Sequence, residues 1–489
     1  MLFNSKVFAA LLAVVLAVYY SLSDHHKRVF LLVVSVVFYG FWDPSLLLQL
    51  TLCTGVNWWC AGQISRSESP ILRKRLLTLA MAVSFGMLGF YKYYDFFVGE
   101  FIAAAGLVGL DLSGDALFLR LALPVGISFY TFQTASYTID VYRKDCAHDP
   151  VFWRFFLYVT FFPQLVAGPV ERAPHLLPQF QRPFRLSRED VRRGVFLILL
   201  GFVKKVVIAD RLARAIAPNY SAEAAERISS AKAMVSQLLF TTQIYVDFSS
   251  YSDIAIGLGL LLGYSIRPNF NLPFVVPSIP ERWRRWHLSM SEWFRDYIFI
   301  PLGGSRLGEA RTQINILIVM LLSGLWHGAS NNFLVWGLLN GLTMVGYLWL
   351  RRPLRWLRER MEARPLRKIA WFYACCFATY CTIASINIFF RCPDWPTAKR
   401  YVAAIFTPSA AALESWWNLV YYYDGISLAM GLGLLWTVVV FLAHEAERYG
   451  KVQERLVARP VAWAAACAGL LLMVLTFGIS GPQFIYYQF

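Results

Sequence analysis

Two histidines, 40 residues apart, stand where apolar sequence gives way to polar sequence. His327 lies in "LSGLWHGASNN" (322–332), between the apolar runs "INILIVML" and "FLVWGLLNGL". An imidazole titrates near pH ~6.5, so at neutral pH it can take a proton from a reacting group and return it. From Ile314 to Leu350 the chain is apolar apart from a few uncharged polar residues and this one ring. That is too long for one membrane crossing and barely enough for two at ~20 residues each, so the turn at 327–332 must lie in or near the bilayer. Gly328 and Ala329 permit close backbone approach, and Asn331 and Asn332 can satisfy freed backbone groups. An ionisable group at such a break as a rule faces a cavity and has a function. The plainer alternative is a helix-end histidine bonded to a backbone carbonyl.

His287 lies in "PERWRRWHLSMSEWFRDYIFIPLGGSR" (280–306). The pattern predicts an amphipathic interfacial helix. Trp283, Trp286, His287, Met290, Trp293, Phe294 and Tyr297 share one face; Arg284, Arg285, Glu292, Arg295 and Asp296 share the other. Pro280 suits its start and "PLGG" (301–304) its end. A merely solvated histidine would sit with the arginines. The other five, His25, His26, His148, His175 and His444, read as solvated or interfacial. Two further stretches set polar groups against apolar runs: "YVDFSSYSDIAIGLGLLLGY" (245–264) with Asp247 and Asp253, and "GISFYTFQTASYTIDVYR" (126–143) with Gln133, Asp140 and Arg143. Such groups must pair or line a water-filled path, and helix–helix hydrogen bonding is the simpler of the two accounts.

The elements that must position these residues are membrane helices. Of 489 residues, 57% are hydrophobic and only 16% charged, with mean hydropathy +0.49. A soluble chain would carry nearer a quarter charged residues and would lack repeated apolar runs of ~20. The expected fold is all-α and polytopic, with about eleven or twelve transmembrane helices plus re-entrant and interfacial pieces. Spans are predicted near 7–22, 29–43, 45–62, 76–97, 119–141, 191–213, 232–263, 313–330, 332–350, 369–390, 427–444 and 460–478. The segment 155–170, apolar but broken by Pro163, Gly168 and Pro169, is predicted to be re-entrant. Val7–Tyr20 reads as a retained first helix rather than a removed signal. No hydrophilic stretch reaches the ~50 residues of an independent soluble domain, so residues 1–489 are expected to form one membrane-embedded domain with a core near 120–350.

The net charge is +16, and the basic residues cluster in short loops. Orientation in the bilayer explains that better than nucleic-acid binding. The loops 66–75, 172–193, 281–311, 351–368 and 448–455 should face the cytoplasm, with the N-terminus and the terminal "GPQFIYYQF" outside. The eight cysteines, Cys53, Cys60, Cys146, Cys375, Cys376, Cys381, Cys392 and Cys467, form no CxxC pair. They read as small apolar residues, with no metal or cofactor motif among them. The sequence shows no repeat of the kind common in transporters.

Taken together, "YVDFSSYSDIAIGLG", "RWRRWHLSMSEWFRDYIFIPLGG", "LSGLWHG" and the terminal "FIYYQF" make the chain resemble the membrane-bound O-acyltransferases. The branch is the bacterial type that acetylates alginate or cellulose, with peptidoglycan acetyltransferases and teichoic-acid D-alanylation proteins as relatives. The resemblance runs from "FYGFWD" (38–43) to the C-terminus. Leu288 replaces the usual isoleucine, and "DFSSYSD" the usual "DFSGYSD". Neither change removes a polar side chain used in chemistry. The resemblance implies a ring of tilted helices around a central channel, with His327 matching the histidine of the "WHG" motif and His287 that of "RWHIS".

It implies acyl transfer. His327 would be the general base and His287 would orient it or the acyl carbonyl, though their roles are interchangeable at this stage. Trp326, Asp247, Asp253, Gln133 and Arg285 are channel or donor-binding candidates. The implied donor is cytoplasmic acetyl-CoA, a co-substrate rather than a cofactor. The implied partners are a periplasmic acetyltransferase, an exopolysaccharide acceptor and membrane lipids. The implied location is the bacterial inner membrane. A non-enzymatic transporter or flippase, or a scaffold of a polysaccharide secretion complex, is the competing class.

Overall fold

The computed structural model describes residues 3–110, 112, 114–165, 168–362, 364–407, 425–479, 481 and 484, with backbone alone for 425–428. The expected extracytoplasmic "GPQFIYYQF" therefore lies outside the described residues, apart from Gly481 and Phe484. Helix dominates, and there is no strand among the described residues. The protein is an all-α polytopic membrane protein.

Among the described residues, five helical stretches are long and apolar enough to cross a bilayer: Pro70–Leu107, Asn331–Glu362, Pro365–Ile386, Ala429–Gly450 and Pro460–Phe477. Most of the other expected spans are also helical, but shorter, more polar or interrupted. Lys6–Tyr19 has only 14 residues. The expected span at 191–213 is α-helical over Arg188–Phe202, widens to a π-helix over Val203–Ala209 and returns to α over Asp210–Ile216. The expected re-entrant segment is a nine-residue helix, Phe152–Thr160, followed by non-helical chain from Phe161.

The chain divides into two compact units: residues 1–194 with 255–267, and residues 195–254 with 268–489. The first is built on Ile127–Arg143, whose side chains are buried along almost its whole length against Leu46–Arg66 and Pro70–Leu88. Several of its polar groups bond neighbouring helices. Thr138 Oγ1 donates to Asn57 Oδ1 (2.8 Å), and Asn57 Nδ2 to Ser84 Oγ (2.8 Å). Uncharged hydrogen bonds of this kind hold membrane helices together without burying a charge.

The second unit holds both histidines. Its tightest packing is the hairpin of Glu309–His327 and Asn331–Glu362, which cross at glycines. A Cβ on Gly324 would strike the Phe333 carbonyl, and one on Gly337 the Met320 carbonyl. Small residues let the two backbones approach, as membrane helix pairs require. That contact fixes the position of the helix end at His327.

Two consecutive lysines in this unit pair with carboxylates. Lys205 Nζ lies 2.7 Å from Asp247 Oδ1 and 2.9 Å from Asp210 Oδ1. Lys204 Nζ lies 2.6 Å from Asp253 Oδ2. Adjacent lysines of a regular α-helix point about 100° apart; here both come from the π segment and meet carboxylates on Ser230–Leu261. Removing one partner of a buried ion pair is far more damaging than replacing the whole set. Lys205→Met should therefore destabilise the folded protein by about 3–5 kcal/mol. The check is a lower midpoint of thermal unfolding for the detergent-purified variant, with a smaller loss for Lys204→Met at the less buried pair.

Candidate active site

The 280–306 segment is not the continuous helix its sequence predicts. It folds as a short helix, Ile279–Trp283, a break, a second helix, Leu288–Phe294, and a π turn, Arg295–Phe299. At the break His287 takes a left-handed conformation (φ 44°, ψ 55°). That conformation is uncommon outside glycine and is found where surrounding contacts over-determine it. Here Asn269 supplies them. Its carbonyl accepts from Leu288 N (2.9 Å), and its Oδ1 accepts from Ser289 Oγ (2.8 Å) and from His287 Nδ1 (3.2 Å). Because Oδ1 can only accept, the proton of the neutral ring sits on Nδ1 and the lone pair on Nε2. The side chain is 0% exposed, and burial pushes its pKa down to about 3, which keeps the ring neutral.

His327 is the last residue of its helix, and Gly328 turns extended behind it. Only 4% of its surface is exposed. The ring is caged edge-on by Trp326, Trp336 and Phe390, with centroids 4.9, 5.0 and 5.1 Å away. A narrow pocket of about 20 Å³ opens beside it, walled also by Trp283, Trp286, Arg282, Asn340 and Asn387. The expected turn at 327–332 is present, and its histidine lies on the wall of this pocket.

His287 is not part of that wall. The two histidines meet through Trp326, whose ring centroid is 5.9 Å from that of His287 and 4.9 Å from that of His327. Phe248 closes the other side of His287 at 4.7 Å. The arrangement offers one imidazole to a small apolar pocket and holds a second, neutral and oriented, one ring behind it.

The remaining sequence candidates lie elsewhere. Asp247 and Asp253 pair with Lys205 and Lys204. Gln133, in the first unit, donates from Nε2 to the Tyr158 carbonyl (3.0 Å). Arg285 binds Glu281 one turn away (2.7 Å). All four have partners that hold helices and turns together, and none lines the pocket beside His327. A second expectation is overturned: His444, read as solvated or interfacial, is buried and shares a 2.8 Å hydrogen bond with Tyr245 Oη. Its neighbour Glu445 is polar, but the ring turns inward.

Sequence reasoning missed Asn269, Arg282, Trp336, Asn387 and Phe390, which come from distant segments. Arg282 stands at helical spacing from Trp286, four residues before it, but as an arginine it counts as a solvent-facing residue.

The family model for membrane-bound O-acyltransferases matches residues 71–387, which include both histidines. The "Probable alginate O-acetylase AlgI" of Pseudomonas aeruginosa is 37% identical over 412 residues, covering 83% of this chain and 75% of that protein. The peptidoglycan O-acetyltransferase of Helicobacter pylori is 32% identical over 376 residues, 70% of each chain. The teichoic acid D-alanyltransferase of Bacillus subtilis is 24% identical over 270 residues, 52% of this chain and 67% of its own.

Proposed function

Because the chain belongs to the membrane-bound O-acyltransferase family, we propose that it moves acetyl groups from cytoplasmic acetyl-CoA toward hydroxyls of an extracytoplasmic polysaccharide. A periplasmic acetyltransferase partner completes the delivery in this reading, and the host membrane is the bacterial inner membrane. The chain itself is a multi-pass membrane-bound O-acetyltransferase. Relatives named for alginate and for peptidoglycan acetylation support a polysaccharide as the final acceptor.

The observation that carries the reading is a buried imidazole, His327, on the wall of a narrow aromatic pocket at a helix break. In the proposed step the acceptor hydroxyl attacks the thioester carbonyl. His327 takes the hydroxyl proton as the C–O bond forms. The C–S bond then breaks, and the imidazolium returns the proton to the departing thiolate. His287 acts through Trp326, holding that ring against His327. No metal enters the scheme.

The test is thioester consumption. Protein purified in lipid nanodiscs and given labelled acetyl-CoA with a hydroxyl acceptor should release free thiol in step with labelled ester. A transporter or scaffold would bind or move acylated material and leave the thioester intact, and that outcome would reject the enzymatic step.

A further inference from the structure

Arg282 is a buried cation with no counter-ion among the described residues. Only 5% of its surface is exposed, and it forms no ion pair among the described residues. The neighbouring carboxylate, Glu281, is taken by Arg285. Its ionisable neighbours include Tyr245 and Tyr380, and both hydroxyls are engaged elsewhere. Tyr245 bonds His444 (2.8 Å), and Tyr380 donates to the Leu238 carbonyl (2.6 Å). One guanidinium nitrogen, Nη1, donates to the Pro273 carbonyl (3.0 Å). The plane lies over Trp286 at 4.0 Å and near Phe274 at 5.5 Å. Cation–π contact offsets part of the desolvation penalty of such a charge, not all of it. Elsewhere in this unit, buried charge is neutralised by acids, as Lys205 is by Asp210 and Asp247.

The position of Arg282 gives the charge a use. It lines the same narrow pocket as His327. The rest of that wall is tryptophan, phenylalanine, isoleucine and two amides, Asn340 and Asn387. One amide N–H of each is engaged: Asn340 Nδ2 donates to the Trp336 carbonyl, and Asn387 Nδ2 to Thr241 Oγ1. A diphosphate, with several charges and many oxygens, would find one cation there. A single oxygen that gains one negative charge during reaction fits better.

We propose that Arg282 is a catalytic residue that holds the thioester carbonyl oxygen and stabilises the oxyanion formed when the acceptor hydroxyl attacks. This deepens the acyl-transfer reading and rests on it. As the C–O bond forms and His327 takes the proton, the carbonyl π electrons move onto oxygen opposite the guanidinium. When they return, the C–S bond breaks and the thiolate takes the proton from His327. The stack on Trp286 and the bond to Pro273 fix the guanidinium before reaction, so its alignment need not be rebuilt at the transition state.

The experiment compares Arg282→Met, Arg282→Gln and Arg282→Lys with wild type in nanodiscs, using labelled acetyl-CoA, with kcat, KM and thermal midpoint recorded together. Met keeps the stem on Trp286 and removes the charge. Both neutral variants should lose about 10²–10³-fold in kcat with KM nearly unchanged. Lys, which keeps a charge without the fork, should retain more activity than either. The thermal midpoint of the neutral variants should not fall in proportion, since each removes an uncompensated buried charge. Gln serves if Met does not accumulate. A neutral variant within about threefold of wild type, a loss confined to KM, or a Lys variant no better than Met would each overturn the role of Arg282 while leaving acyl transfer standing. A wild type that consumes no thioester would remove the underlying reading and this inference with it.

Discussion

His327→Ala should abolish acetyl transfer while the protein still inserts and purifies. A general base contributes typically ~10²–10⁴ in rate, and the structure offers no second imidazole on the pocket wall to replace it. The ring also packs against Trp326, Trp336 and Phe390, so alanine leaves a hole as well as removing a base. His327→Asn separates the two effects. It fills most of the space and keeps a polar tip, but cannot carry a proton at neutral pH. Both variants should be inactive, and only alanine should lower the thermal midpoint appreciably. The measurement is label transferred from acetyl-CoA at matched protein levels. An asparagine variant near the wild-type rate would mean that His327 is a packing residue.

The membrane class, the helix break at 327–332 and the two histidines were legible because each has a local cause. Apolar length sets the spans, and a stretch too long for one crossing and barely enough for two forces a turn. The break at His287 was not legible. Its residues satisfy helical periodicity on both sides, and what interrupts the helix is Asn269, eighteen residues earlier, whose carbonyl and amide clasp Leu288 and Ser289. The same limit hid the partners of Asp247 and Asp253. A carboxylate in an apolar run announces that it needs a partner, but not that consecutive lysines of a π segment supply it. Arg282 shows the converse. Periodicity counts an arginine as a solvent-facing residue, and tertiary packing placed it on the pocket wall.

The second large effect concerns how His287 and His327 work together. His287 does not line the pocket; it reaches His327 through Trp326. It is locked by its left-handed backbone and by Asn269, so it provides a fixed edge against which Trp326 can rest. If that is its role, His287→Ala should cost most of the activity by letting Trp326, and with it His327, move. A displacement near 1 Å at a reacting group can cost about 10²-fold. Trp326→Ala should reproduce that loss. In a His327→Ala background, however, neither change should matter, because the base they position is gone. The double variant His287→Ala/His327→Ala should be little worse than His327→Ala alone, as expected of groups that act as a unit. The pH profile discriminates further. A positioning residue lowers the rate across the range and leaves the shape set by the base, whereas loss of a titrating group changes the shape. Free energies that simply add across the two histidines would separate their roles and make His287 a structural residue of the turn it caps.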